Sequence, residues 1–455
     1  MKSFTITLIL IFSACAATSH LNAQDQDDVL IVFPDKRHME KDEPIVVFDD
    51  LSPEDDEPID SSDCDDLSNF QDQEKENLKQ ILEKAEQGDA EAQYHLGSHY
   101  YGDNNDVESV KWYRKAAEQG HVEAQFTLGM CYENGGDGVK SNEAEAMKWY
   151  RKAAEQGHKL AQMHLGEYYQ YDKKNITEAM KWYRKAADGG YMHAEYLLAT
   201  YYKDGIGVKK DAKESVKWYR KAVEHGSIDS MFFLGKCYYK GEGVQKDLAE
   251  AVKWYRKAAK YTYPEAEFCL GECYMNGTGV KKDTKEALKW YHKAEEHGDH
   301  DAPFTLGVCY EKGRGVQKNM KEAMKWYRKA AERGHVEAQY MLGTFYYKGE
   351  RVLQDYAEAL KWYRQAAEQG HPEAQYKLGV IYARGEGVRQ DYVEALKWYC
   401  QAAEQGDAEA QVALGLCYER GEGVRKNAKE AAEWYRKAAE QGNESAKEAL
   451  RSLKQ

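Results

Sequence analysis

Two histidines one helical turn apart, His95 and His99, have a spacing that can hold a metal ion on one face of a helix. No Glu stands between them, as the metalloprotease motif requires, and two ligands without a third make no structural site, so they read as surface or groove residues. No serine is followed three residues later by lysine, so the penicillin-recognising nucleophile motif is absent. His121, His158, His335 and His371 each follow a glycine at repeat spacing and read as turn residues. Asn175-Ile176-Thr177 has the form of a glycosylation sequon but opens a predicted helix, where the asparagine serves as cap. Gly-x-Gly-Val recurs at Gly205 and Gly207, Gly241 and Gly243, Gly277 and Gly279, Gly313 and Gly315, Gly385 and Gly387, and Gly421 and Gly423. Such a loop can cradle phosphate, yet no strand precedes it and no Gly-Lys-Ser/Thr follows, so it reads as a turn. These residues imply no catalytic group, no metal and no cofactor.

The elements that hold them are set by a period. All ten tryptophans, Trp112, Trp149, Trp182, Trp218, Trp254, Trp290, Trp326, Trp362, Trp398 and Trp434, sit in variants of K-W-Y-R-K-A-A-E-Q-G, with differences of 37, 33 and then 36 seven times. A fixed period of this length marks a solenoid, whose repeats bury apolar faces only against their neighbours. Ala146, Trp149, Tyr150, Ala153 and Ala154 recur at helical spacing along one stripe. Asp211 with Glu214, Asp247 with Glu250, Asp283 with Glu286, Asp355 with Glu358 and Asp391 with Glu394 read as capping boxes, and Gly120, Gly157, Gly334, Gly370, Gly406 and Gly442 as left-handed C-caps. A preceding helix carries A-x-Y/F-x-L-G-x-x-Y, as in Ala338, Tyr340, Leu342, Gly343 and Tyr346. Its glycine removes a side chain where the partner helix comes close.

These motifs resemble the Sel-1-like repeat family, relatives of the tetratricopeptide repeats, over Glu74 to Gln455. The resemblance implies an all-α, right-handed α/α superhelix of about ten helix pairs with terminal half-repeats near Leu78–Gln87 and Glu444–Leu453. It also implies a non-catalytic adaptor that holds other proteins. The loops after Tyr101 and Tyr169 lack Gly-x-Gly-Val, Ala199 replaces one glycine and Arg351 another, which suggests local irregularity without a different fold. The last helix, with Lys447, Glu448, Arg451 and Lys454, is more polar, as a terminal repeat requires.

Residues 1–23 read separately. Lys2, the apolar run Phe4 to Phe12 and the small residues after it fit an export signal cleaved after Ala23; Phe12-Ser13-Ala14-Cys15 resembles a lipoprotein box and offers lipid anchoring at Cys15 as the alternative. Either way the chain is expected to be exported, secreted or held in the cell envelope. No other apolar stretch is long enough to span a membrane. Residues 24–73 carry 18 Asp or Glu against three basic residues, so the net charge of −14 belongs to this segment and residues 74–455 are neutral. The segment reads as a disordered spacer or as an extended peptide that docks in a groove. A neutral solenoid with an acidic arm argues against nucleic acid as a partner.

Nine cysteines in an exported chain invite disulfides, but Cys131, Cys237, Cys273, Cys309 and Cys417 share one repeat column. Packed helices lie about 8–10 Å apart, beyond the roughly 7 Å limit for a bridge, so they read as small core residues. A bridge between Cys269 and Cys273, one turn apart, would be strained.

If function is recognition, helical spacing says where to look. With Leu96 and its equivalents in the core, the residues two before, two after and five after share another face. By resemblance to tetratricopeptide repeats that face lines the concave groove. The first column, Tyr94, Phe126, Tyr196, Phe232, Phe268, Phe304, Tyr340 and Tyr376, reads as core packing or as a sticky ladder. The other two vary, and the candidate partner-binding residues are Tyr94, Ser98, Tyr101, Met130, Glu133, Glu167, Lys236, Tyr239, Glu272, Met275, Glu311, Thr344 and Tyr347. The expected ligand is a protein or peptide. The alternative is a cell-envelope enzyme or a binder of β-lactam or peptidoglycan type, as some cysteine-rich relatives suggest.

Overall fold

The computed structural model describes residues 76–453. Residues 1–23, expected to be an export signal, with Cys15, and the acidic segment 24–73 lie outside them. Within them the chain is an all-α solenoid of ten helix pairs between two half-repeats, with no β-strand among the described residues. Helix α1 spans residues 76–86. The pairs are α2 (Ala90–Gly102) with α3 (Asp106–Glu118), α4 (Val122–Asn134) with α5 (Glu143–Glu155), α6 (Lys159–Tyr171) with α7 (Ile176–Asp188), α8 (Met192–Asp204) with α9 (Ala212–Glu224), and α10 (Ile228–Lys240) with α11 (Leu248–Ala259). There follow α12 (Pro264–Asn276) with α13 (Thr284–Glu296), α14 (Ala302–Lys312) with α15 (Met320–Glu332), α16 (Val336–Lys348) with α17 (Tyr356–Glu368), α18 (Pro372–Arg384) with α19 (Tyr392–Glu404), and α20 (Ala408–Arg420) with α21 (Ala428–Glu440). Helix α22 (Glu444–Ser452) closes the array.

The motif residues form the core. Leu96, Leu128, Leu165, Leu198, Leu234, Leu270, Leu306, Leu342, Leu378 and Leu414 are at most 1% exposed, and the tyrosine after each tryptophan is buried. That tyrosine explains the glycine after every leucine but Leu198, which Ala199 follows. A Cβ on Gly97, Gly129 or Gly307 would lie 2.6 Å from the ring of Tyr113, Tyr150 or Tyr327. The tryptophans pack on the alanines of the preceding repeat, as Trp182 does in the cluster of Ala153 and Ala154, and Trp362 in that of Ala330 and Ala331.

The N-caps are half of what the sequence suggests. Asp283 Oδ1 accepts from the Glu286 amide at 3.0 Å, as a capping box requires. The glutamate, however, turns outward to Lys289 at 2.8 Å, and the same holds for Glu250 with Lys253 and Glu394 with Lys397. The reason is local: the Asp283 amide that it would have capped already donates to the carbonyl of Tyr274, at 2.9 Å. In the Gly-x-Gly-Val turns the first glycine takes the left-handed cap. The second, at Gly243 and Gly279, leaves no room for a Cβ against the Ala212 and Leu248 carbonyls at the start of the preceding second helix. The loop is filled by its neighbour, which is why it is a turn and not a phosphate cradle. Arg351 keeps the glycine's backbone, at φ 76°, so repeat 8 retains the same pair.

Candidate functional site

The aromatic column packs. From Tyr94 with Tyr113 to Tyr376 with Tyr399, all eight rings lie 5.5–6.1 Å from the buried tyrosine of their own repeat. In four of them the other face is taken by a histidine. His121, His158, His335 and His371 stack on Tyr94, Phe126, Phe304 and Tyr340 at 4.3–4.9 Å. The four histidines are more than turn residues: each Nδ1 accepts from a backbone amide of the following helix at 3.1–3.2 Å and so caps it. Asn175 caps α7 in the same way, accepting from the Glu178 amide at 3.2 Å.

The two variable columns carry a constraint that was not visible in the sequence. A buried tyrosine hydroxyl needs a polar partner across its helix pair, and in eight of the ten repeats either the second or the fifth residue after the leucine supplies it. Ser98 serves Tyr113 at 3.1 Å, Thr200 lies 3.3 Å from the Tyr219 hydroxyl, Glu272 accepts from Tyr291 at 2.5 Å and Thr344 from Tyr363 at 3.1 Å. Glu133, Gln170, Glu311 and Glu419 do the same from the other column for Tyr150, Tyr183, Tyr327 and Tyr435. Glu311 is also clamped by Arg351 at 2.7 Å.

The remaining candidates divide. Met275 is buried, at 8% exposure, in a cluster with Leu288 and Tyr291, and cannot meet a ligand as it stands. Met130 is half-buried against the core, and Tyr347 lies edge-on to Tyr356 and Tyr363. Burial, with a hydrogen bond to Glu386, pushes the Tyr347 hydroxyl up to about 12. Tyr101 and Tyr239 are exposed, at 56% and 41%. Glu167 stands 3.8 Å from His164 Nδ1, as does Glu133. Lys236 and Tyr239 hold the variable positions of repeat 5 without a hydrogen bond to Tyr255. The sequence reading passed over the residue just before each leucine, where Phe233 and His164 stand; nothing periodic marks it.

The groups that could do chemistry are tied into structure. His95 pairs with Glu91 at 3.2 Å and His99 with Asp103 at 3.5 Å, so they share no ligand set, and no group of three metal-binding side chains occurs among the described residues. The seven described cysteines are free thiols. Burial pushes Cys131 and Cys269 up to about 12 and Cys237, Cys273, Cys309 and Cys417 to about 11, so all are protonated near neutrality. Two open depressions of about 800 and 600 Å³ lie beside Trp112 and Trp362, on the second-helix side and away from the variable columns. No helix among the described residues is long and apolar enough to cross a membrane.

A row of helix pairs with an invariant packed side and a variable side defines a helical repeat scaffold. The chain belongs to the Sel1 repeat family, whose pattern matches ten successive segments from 90–121 to 408–443. It is similar to c5321, described as a protective antigen present in uropathogenic Escherichia coli strains displaying an SLR fold, at 38% identity over 82% of this chain and 81% of that one, with a TM-score of 0.59. It is also similar to a Sel1 repeat protein from Oxalobacter formigenes, at 35% identity over 68% of this chain and 90% of that one, with a TM-score of 0.56. No curated protein matches significantly. Proteins of this family are generally protein-interaction scaffolds and typically non-enzymatic.

Proposed function

We propose that this protein is an exported, non-catalytic scaffold that holds a protein or peptide against the face of its first helices. The observation that carries this reading is the release of that face in repeat 5: eight of the ten repeats supply a Ser, Thr, Glu or Gln to their buried tyrosine, Val380 and Ala383 of repeat 9 and Lys236 and Tyr239 of repeat 5 do not, and of these four only Tyr239 is exposed. The repeat family supports the interaction role. Export rests on Lys2 and the apolar run Phe4 to Phe12. Met275, Glu272 and Glu311 leave the set of direct contacts in this reading, because packing and tyrosine hydroxyls occupy them.

The test is mild crosslinking of the mature protein in its native host, followed by identification of what is recovered with it. One recurrent protein, lost when Tyr101, Lys236 and Tyr239 are changed to Ala together, would support the reading. Retention by that variant, with loss when Lys115, Lys152 and Lys185 on the second helices are changed, would place the partner on the other side. Recovery alone with turnover of a cell-wall or β-lactam substrate would overturn it.

A further inference from the structure

One three-residue arrangement occurs twice on the first-helix face with opposite charge. It consists of the fifth residue after the leucine in one repeat, then the residues before and two after the leucine in the next. In repeats 2 and 3 these are Glu133, His164 and Glu167; in repeats 4 and 5 they are Lys203, Phe233 and Lys236. In both, the central ring lies flat on the buried tyrosine of the preceding repeat, His164 on Tyr150 at 4.9 Å and 12°, Phe233 on Tyr219 at 5.6 Å and 6°. The flanking groups converge on that ring. Lys203 Nζ lies 4.9 Å and Lys236 Nζ 5.5 Å from the centroid of Phe233.

Packing does not account for the basic version. Cation–π contact seats both lysines, Lys236 Nζ lying 5.3 Å from the centroid of Phe232 as well, but it brings no anion to the two positive charges gathered beside Phe233. Among the described residues Lys236 has no carboxylate within 4 Å, and Lys203 has only its chain neighbour Asp204, at 3.6 Å. The Tyr219 hydroxyl already faces Thr200, so it does not need either lysine. The positive field reaches inward: Cys237, pushed up by burial and Glu242, is drawn back by Lys203, Lys240 and Lys236.

We propose that Lys203, Phe233 and Lys236 receive a short acidic stretch of an extended peptide, with carboxylates on the two ammonium groups and an apolar side chain between them on the Phe233 ring. Tyr239, 41% exposed, extends that floor. The proposal rests on the first-helix face being the binding face, and it fixes the ligand's chemistry and position there. A long polyanion does not fit, because the same column presents Glu167 in repeat 3 and Glu272 in repeat 6. With neighbouring helices about 10 Å apart, the basic window spans roughly 20 Å, or about six extended residues. The acidic counterpart at Glu133 and Glu167 repels a carboxylate and so opposes slippage of the ligand toward the start of the array.

The test selects a displayed random dodecapeptide library on the full chain and measures the enriched peptides by fluorescence anisotropy. Enriched sequences should carry Asp or Glu around an apolar residue. Lys203→Glu with Lys236→Glu should weaken binding by at least tenfold, Lys236→Arg should retain it within threefold, and Lys377→Glu, a reversal on the same side four repeats away, should change it less than twofold; circular dichroism confirms folding of each. Acidic peptides that bind the double reversal equally well would overturn the proposal, as would competition by single-stranded oligodeoxythymidylate. Enrichment of uncharged peptides that are lost on Tyr101→Ala with Tyr239→Ala would overturn it while leaving the scaffold reading intact. Absence of any enriched peptide would count against both.

Discussion

A Cβ placed on Gly343 would lie 2.6 Å from Cδ1 of Tyr363, so the ring of the second helix occupies the space that another residue at 343 would fill. Gly343→Ala should therefore destabilise repeat 8 by about 1–2 kcal/mol, the overpacking cost less the helix preference of alanine. Ala199 shows the accommodated version, where Thr200 Oγ1 stands 3.3 Å from the Tyr219 hydroxyl, against 3.1 Å for Thr344 and Tyr363 beside Gly343. There Ala199→Gly should lose about 1 kcal/mol of helix preference and gain no packing. Hydrogen exchange of the amides in α16 and α8 reads the two changes separately, and a stabilised Gly343→Ala protein would contradict the seating of the ring.

Trp218 is 2% exposed, its indole N–H is buried without a partner among the described residues, and Lys221 Nζ stands 4.1 Å from its ring. The side chain thus works as apolar volume between repeats and not as a donor. Trp218→Phe, which strands no acceptor, should cost about 1–2 kcal/mol, whereas Trp218→Ala should cost about 3–5. Urea unfolding of the two variants checks the gap; equal losses would mean that the indole nitrogen has a partner in solution.

The repeat period, the leucine and tyrosine stripes and the glycine caps were legible because each is a local pattern repeated ten times. What was not legible depends on one residue answering another across the helix pair. Glu286 looks like half of a capping box until the Asp283 amide is seen to be spent on Tyr274. Ser98 and Glu133 look free because the tyrosine hydroxyl takes its partner from either of two columns, so neither column is uniform. Met275 looks like its exposed equivalents but falls against Leu288 and Tyr291. Phe233 went unmarked because its column holds His, Thr, Leu, Cys and Met elsewhere, with no period to notice.

His335 caps α16 through Nδ1, 3.2 Å from the Ala338 amide, while stacked 4.4 Å from Phe304. The cap needs an unprotonated Nδ1, and burial holds this imidazole below its ordinary 6.5 despite the nearby Asp301. The unfolded chain takes up a proton near 6.5 that the folded chain resists, so stability falls as pH drops below that value. Asn443 caps α22 at the equivalent position without titrating. His335→Asn should therefore shrink the loss of Tm between pH 7.5 and 5.5; an unchanged loss would assign the acid sensitivity to other groups.

Arg351 holds a left-handed backbone, φ 76°, where the corresponding glycines stand at 67–78°. Its guanidinium meets Glu311 at 2.7 Å and lies 4.7 Å from the Phe345 ring centroid. Burial works against ionisation of Glu311, yet hydrogen bonds from Tyr327 and Arg351 hold its carboxyl below the ordinary range. Arg351→Gly removes the strain and the ion pair together, so stability at pH 7 should change by less than about 1 kcal/mol, the pair being partly exposed. Arg351→Ala keeps the left-handed backbone and loses the pair, and should cost about 1–2 kcal/mol. A carboxylate with a depressed pKa stabilises above its unfolded value and loses that contribution as pH falls through the folded one. Both variants should therefore raise the Glu311 pKa and lessen the acid-side loss attributable to it below about pH 4.5. Carboxyl titration by NMR, with urea unfolding at pH 7 and pH 4, separates the effects. Equal destabilisation by Gly and Ala would show that the ion pair, and not the backbone, decides the residue at 351.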